Sequence, residues 1–148
     1  QQLQTAARDA HIIVIWIHDR VLTDEVVAAE TNAIPKRVYE LTKKTVHIEK
    51  KESTDAAREW LRAHGGKVAG RLRVITNRFR GDDGGDLGAQ HSVGMVRSEP
   101  CLKDVPILIY CGQQGIGFVK ALTAQKNVFA TSDPTMAVEF IINGKIKK

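Results

Sequence analysis

Five short apolar runs, separated by stretches of helical periodicity, predict a doubly wound α/β domain: a five-stranded parallel sheet in the order 2-1-3-4-5 within three α/β/α layers. Three observations carry that expectation. The runs His11–His18 (HIIVIWIH) and Val105–Cys111 (VPILIYC) are almost continuously apolar, as strands covered on both faces must be. Helix caps and stops fall between the runs, so each crossover has a helix to return the chain to the same edge. A length of 148 residues suits one domain and hardly two.

The elements follow in order. After the first strand, Pro35 must open a helix or kink it. Residues 20–34 are therefore expected to be partly loop or a separate turn of helix, with a helix ending near Val38 and Leu41. The second strand, Thr45–Lys50, alternates Val46 and Ile48 with His47 and Glu49, which suits an edge strand wet on one side. Ser53 or Thr54 caps the next helix, whose Ala57, Trp60, Leu61 and His64 fall on one face and which Gly65-Gly66 should stop. The third strand is Leu72–Asn77. The helix near Asp86–Ser98 is weak, because Gly88 and Gly94 each cost roughly 1 kcal/mol against Ala. Past the fourth strand, residues 112–117 read as a flexible glycine loop and Gly117–Ala124 as a short helix. The fifth strand is Val128–Thr131. Asp133-Pro134 then opens a helix that turns Ala137, Val138, Ile141 and Ile142 inward and ends at Gly144.

Composition sets the class. Hydrophobic residues make up 43% and charged residues 26%, ordinary for a soluble globular chain. The longest apolar run, Ile12–Ile17, is far short of the roughly 20 residues of a membrane-spanning helix, so no membrane insertion is expected. Gln1 opens the chain without Met or leader, and residues 1–148 are read as a single domain excised from a larger protein. Cys101 and Cys111 lack metal-ligand spacing and are expected to be free thiols, which points to an intracellular setting, cytoplasmic or nuclear.

The net charge of +5 is unevenly placed: residues 1–40 carry −2, residues 41–80 carry +7 and the remainder is neutral. Lys43, Lys44, Lys50, Lys51, Arg58 and Arg62 are expected to form a basic edge able to attract anions. Nucleic acid is the lesser partner class, since only Trp60 and Phe79 offer stacking faces in that stretch.

Function in such sheets gathers at the carboxyl ends of the first, third and fourth strands. Those ends read His18-Asp19, Asn77-Arg78 and Cys111-Gly112, and the fifth strand ends in Ser132-Asp133-Pro134. Here the sequence resembles the receiver domains of two-component response regulators, a flavodoxin-like fold. STDAAREWL is similar to their helix-2 entry, RVITNRFRGDDGGDLGA to the strand bearing the phosphoacceptor with its loop, and VPILIYCG to the fourth strand. TSDP falls where they have Lys-Pro. The resemblance implies a pocket at His18, Asp19, Asn77, Cys111 and Asp133, and each position departs from it. One carboxylate of the acidic pair is His18, the acceptor is the amide Asn77, the switch hydroxyl is Cys111 and the lysine is Asp133. Losing two carboxylates removes most of the charge that holds Mg²⁺, and Lys to Asp removes the cation that pairs with a phosphoryl group. The resemblance therefore implies a pseudo-receiver: no enzyme, no metal, no cofactor, its partner a protein or a neighbouring domain, with a homodimer also allowed.

Weaker signals fall away. Arg80-Gly81-Asp82 spells an integrin tripeptide by chance, and Asp82, Asp83 and Asp86 do not follow EF-hand spacing. Residues 112–117 fit neither glycine-rich phosphate motif. Cys111 with His18 or His91 lacks an orienting group for thiol catalysis, and His11, His47 and His64 lack ligand spacing. The rival classes are an NAD-processing domain of the TIR type, which would need a glutamate in a pocket, and an anion-binding module using the basic edge.

Overall fold

Ile12–Ile17 forms the central strand β1 of the computed structural model, which describes residues 2–81 and 84–146. All six of its side chains are buried, because both faces of the sheet are covered. Strands β2 (Val46–Lys51) and β3 (Leu72–Thr76) flank it, followed by β4 (Ile107–Tyr110) and β5 (Val128–Thr131). Every pairing is parallel, in the order β2-β1-β3-β4-β5, as the sequence predicts. The two-residue side-chain period then splits the core. Ile13, Ile15 and Ile17 pack under α3 (Thr54–Val68) and α4 (Gly88–Arg97), while Ile12, Val14 and Trp16 pack under α2 (Glu25–Thr42) and α7 (Pro134–Asn143).

The helices depart from the expectations in instructive ways. A short helix α1 (Thr5–Asp9), which the sequence pattern did not suggest, buries Ala7 against the first of these cores. Helix α2 runs 18 residues straight through Pro35, so residues 25–34 are the first half of one continuous helix rather than loop or a separate turn. Its N-terminus is held by Asp24, whose carboxylate accepts from the Val26 and Val27 amides at 2.8 and 3.2 Å. The buried stripe of Thr31, Ile34 and Val38 outweighs what the proline costs. Pro35 offers no N–H to the Thr31 carbonyl, and a helix-interior proline is worth about 3 kcal/mol less than alanine, partly offset by its stiffening of the unfolded chain. Pro35→Ala is therefore expected to raise unfolding stability by about 1–2 kcal/mol. Urea denaturation checks this, and a loss of stability would mean that the ring itself is needed for packing.

Gly65-Gly66 does not stop α3 either, which continues to Val68. Gly65 is buried, and a Cβ there would stand 3.2 Å from Leu102, so the residue serves close packing inside the helix. The expected glycine loop after β4 is instead the helical turn α5 (Gln113–Ile116), leading through a 3₁₀ turn into α6 (Lys120–Thr123). Helix α7 begins and ends as expected, with the Asp133 carboxylate accepting from the Thr135 amide at 2.9 Å and Gly144 in the left-handed conformation. No helix of the described residues is long and apolar enough to cross a membrane. Cys101 and Cys111 are free.

Much of the +7 stretch is structural. Arg71 donates to the carbonyls of Ala7 and Ala10, tying α1 to the start of β3. Arg73 donates to the Ile141 carbonyl at 3.2 Å and holds the end of α7. The six residues of the expected basic edge do lie beside β2, but not as one face. Lys43 and Lys44 stand before the strand and Lys50 and Lys51 at its far end, while Arg58 and Arg62 sit on α3 in the opposite layer from α2. Three carry carboxylate partners: Lys51 with Glu49 at 3.5 Å, Arg58 with Asp55 at 2.5 Å and Arg62 with Glu99 at 3.0 Å. Lys50 reaches Asn32 at 3.4 Å and Lys43 lies over the Tyr39 ring at 5.3 Å. Local pairing dilutes the field that charge counting suggests.

Candidate functional site

The carboxyl ends of β1, β3 and β4, with α2 alongside, enclose a cleft of about 310 Å³. His18, Asn77 and Cys111 line it, joined by Trp16, Val27, Glu30, Arg78, Phe79, Tyr110 and Gly112. The topology explains the gathering: in a parallel sheet every strand delivers its following residue to the same end. Asp19 stands beside the cleft and is tied in by hydrogen bonds. Asp133 is not part of the lining; its carboxylate caps α7 and its charge acts on Tyr110 at the edge of the cleft. The Asp82–Asp83 half of the acidic loop lies outside the described residues, and Asp86 pairs with Arg78 at 3.4 Å.

Asn77 is fully engaged. Its amide nitrogen donates to Asp19 Oδ1 at 3.3 Å and to the Phe79 carbonyl at 2.8 Å, and its side-chain oxygen accepts from Arg80 at 2.9 Å. Asp19 Oδ2 accepts from the Gly81 amide at 3.3 Å. The pair thus closes the β3–α4 connection back onto the end of β1. Beneath them lies Arg80, whose side chain is 0% exposed. Its guanidinium donates to Thr76 Oγ1 at 2.8 Å, Thr54 Oγ1 at 2.8 Å, Ser92 Oγ at 2.7 Å and the Gly88 carbonyl. Strand β3, α3 and α4 are joined through this one side chain. Read from sequence, Arg80 is only part of a chance tripeptide and a basic stretch; no spacing rule reports that a loop arginine turns inward.

His18 Nδ1 accepts from the Arg20 amide at 3.0 Å, which places the proton of the neutral ring on Nε2. Burial pushes its pKa below the ordinary value, against the pull of Asp19 and Asp24. Burial likewise pushes the Cys111 thiol up, with Arg78 opposing, so Cys111 is a protonated thiol at neutral pH rather than a nucleophile. Tyr110 is raised as well, by desolvation first and then by the negative charges of Glu30 and Asp133. Tyr110 meets Trp16 edge-on, with ring centroids 6.0 Å apart. Arg78 lies over the Phe118 ring at 5.1 Å.

Of the other histidines, His11 bonds Thr45, His47 bonds Glu49, and His64 packs on Trp60. Among the described residues no three His, Cys, Asp or Glu side chains converge on one point as metal ligands would.

No protein-family model and no curated protein sequence matches the chain. Solved structures do. The phosphorylated cyanobacterial phytochrome response regulator RcpA superposes with a TM-score of 0.57 over 90% of each chain, at 11% identity. The Mn²⁺-bound form of response regulator Rcp1 superposes with a TM-score of 0.52 over 88% of this chain and 89% of that one, at 9% identity. The chain has a receiver fold. Within a receiver fold the cleft occupies the carboxyl-end position at which doubly wound sheets place their ligands. The strand-end rule located five of its lining residues, His18, Asn77, Arg78, Cys111 and Gly112. It missed Glu30, which comes from the part of α2 expected to be partly loop or a separate turn of helix, and Tyr110, read only as strand.

Proposed function

We propose that this chain is a non-catalytic signalling module on the receiver fold, working by contact with a protein partner or a neighbouring domain, its phosphoacceptor position given over to structure. The observation that carries the reading is the engagement of Asn77. In-line phosphoryl transfer needs an ionised oxygen nucleophile and positive charge on the equatorial oxygens. Asn77 supplies a neutral amide already bonded to Asp19, Phe79 and Arg80. Five large apolar side chains left exposed at the same end, Leu22, Val26, Phe79, Leu87 and Phe118, support a protein-contacting role for this rim. Incubation with acetyl phosphate and Mg²⁺ is expected to leave the intact mass unchanged, in the native chain and in Asn77→Asp alike. A phosphoryl adduct on the native chain overturns the reading. An adduct on Asn77→Asp alone would mean that the acceptor is the single missing part.

The NAD-processing reading gains a carboxylate, since Glu30 lines the cleft. The volume weighs against it: about 310 Å³ is at the lower bound of small-molecule pockets, roughly 300 Å³, and short of a dinucleotide.

A further inference from the structure

Helices α2 and α7 lie side by side on one face of the sheet and leave an apolar groove of about 440 Å³ between them. Its floor is Ile34 and Val138, 5% and 8% exposed, and Ala33, Leu41 and Ile142 form its sides. Leu41 is 54% exposed, a large apolar side chain held in water at the rim. Helix α7 carries one charged side chain, Glu139, in its ten residues, where a surface helix ordinarily turns a charged and polar face outward. An apolar face of this kind marks a contact surface.

Charge says what the contact is with. The α2 wall is basic: over residues 33–44, Lys36, Arg37, Lys43 and Lys44 are set against a single carboxylate, Glu40. The α7 wall is acidic, since residues 133–143 hold Asp133 and Glu139 and no Lys or Arg. Arg37 and Glu139 line the groove from opposite walls but do not pair across it. Arg37 turns to Glu40 at 3.5 Å, an exposed pair of little worth, and Glu139 has no ion partner among the described residues. A fitting occupant therefore brings apolar side chains for the floor, a cation over Glu139 and a carboxylate over Arg37. The face itself carries that pattern with its two walls exchanged.

The symmetry is available. Both helices follow strands of a parallel sheet, so they run in the same direction. Arg37 and Glu139 stand near the middle of the stretches that line the groove, 33–41 and 134–143. A two-fold axis in the contact plane and parallel to the helices lays α2 of each copy on α7 of the other and brings Arg37 level with Glu139 twice. A two-fold axis across the helices would instead set Arg37 against Arg37, and like charges in a contact oppose it.

We propose that the α2–α7 face binds a second copy of this chain, with Arg37 over the partner's Glu139 and Leu41 against the partner's Ile142. The cleft at the carboxyl ends of the strands takes no part, so this inference does not rest on the reading of Asn77. Sedimentation equilibrium of the 148-residue chain at low salt, from about 10 μM to about 1 mM, covers dissociation constants within that range. A monomer–dimer equilibrium is expected. Arg37→Glu and Glu139→Arg, each checked for unchanged thermal unfolding, put like charges together at both cross contacts and are each expected to weaken association about tenfold or more. An equimolar mixture of these two variants is expected to dimerise as the native chain does, because each reversed side chain then meets its opposite. Leu41→Asp, at an exposed position, is expected to weaken the dimer to a similar degree. A chain that is monomeric throughout overturns the proposal. So does a mixture that associates no better than either variant alone, or a dimer undiminished in Leu41→Asp.

Discussion

Arg80→Met is expected to lower the unfolding free energy by about 3–5 kcal/mol, because several buried acceptors each lose a donor at a cost of about 1–3 kcal/mol and re-pair only in part. The side chain is fully buried and gives donors to Thr76, Asn77, Thr54, Ser92 and the Gly88 carbonyl. Methionine fills much of the volume but donates nothing, so each acceptor is left in a dry site with its desolvation unreturned. Thr76 and Ser92 can still bond each other, at 2.9 Å, which keeps the loss below the sum of the separate contacts. Arg80→Lys should fall between, because an ammonium has three donors on a flexible stem and cannot span acceptors on three elements as the planar fork does. Urea denaturation followed by circular dichroism measures both. A shift below about 1 kcal/mol for Arg80→Met would mean that the network contributes no more than an ordinary surface contact.

The same side chain marks where the sequence was readable and where it was not. The five strands were legible because a continuous apolar run of four to eight residues has few other uses in a chain this short. Their order followed from crossover geometry, and with it the end of the sheet where a site must lie. The helices were read through local penalties, and tertiary burial overrode those penalties. Pro35 and Gly65 each cost a helix less than the buried stripes of α2 and α3 return. That misreading carried into the site, because splitting residues 20–34 from the helix that follows hid Glu30, which α2 presents to the cleft. Charge counting misled for a different reason. A formal charge does not report whether a guanidinium meets solvent or carbonyls, and Arg71, Arg73 and Arg80 spend donors inside the fold. The positions implied by the receiver resemblance split in the same way. His18, Asn77 and Cys111 meet at the cleft because strand ends bring them there, whereas Asp133 obeys its local cap.

Two glycines of α4, indistinguishable by propensity, are expected to respond to alanine with opposite signs. At Gly88 a Cβ would stand 2.8 Å from the Arg78 carbonyl oxygen and 3.3 Å from Arg80 Cζ. The first of these is backbone and cannot swing aside, and the Ala89 amide already donates to that same carbonyl at 3.1 Å. Relief requires moving the start of α4 away from the β3–α4 connection, which pulls the Gly88 carbonyl and Ser92 off the Arg80 guanidinium. Gly88→Ala is therefore expected to cost about 1–3 kcal/mol, as overpacking of a close contact does. Gly94 is exposed with nothing within 4 Å of its Cβ position, so Gly94→Ala should gain up to about 1 kcal/mol from helix propensity alone. Combining Gly88→Ala with Arg80→Met decides the mechanism. If the glycine is needed because the arginine network needs close approach, part of its cost has already gone once the network is absent, and the double variant should be less destabilised than the two single losses added by at least about 0.5 kcal/mol. Strict additivity in the denaturation series would instead assign the cost of Gly88→Ala to the clash with the Arg78 carbonyl alone.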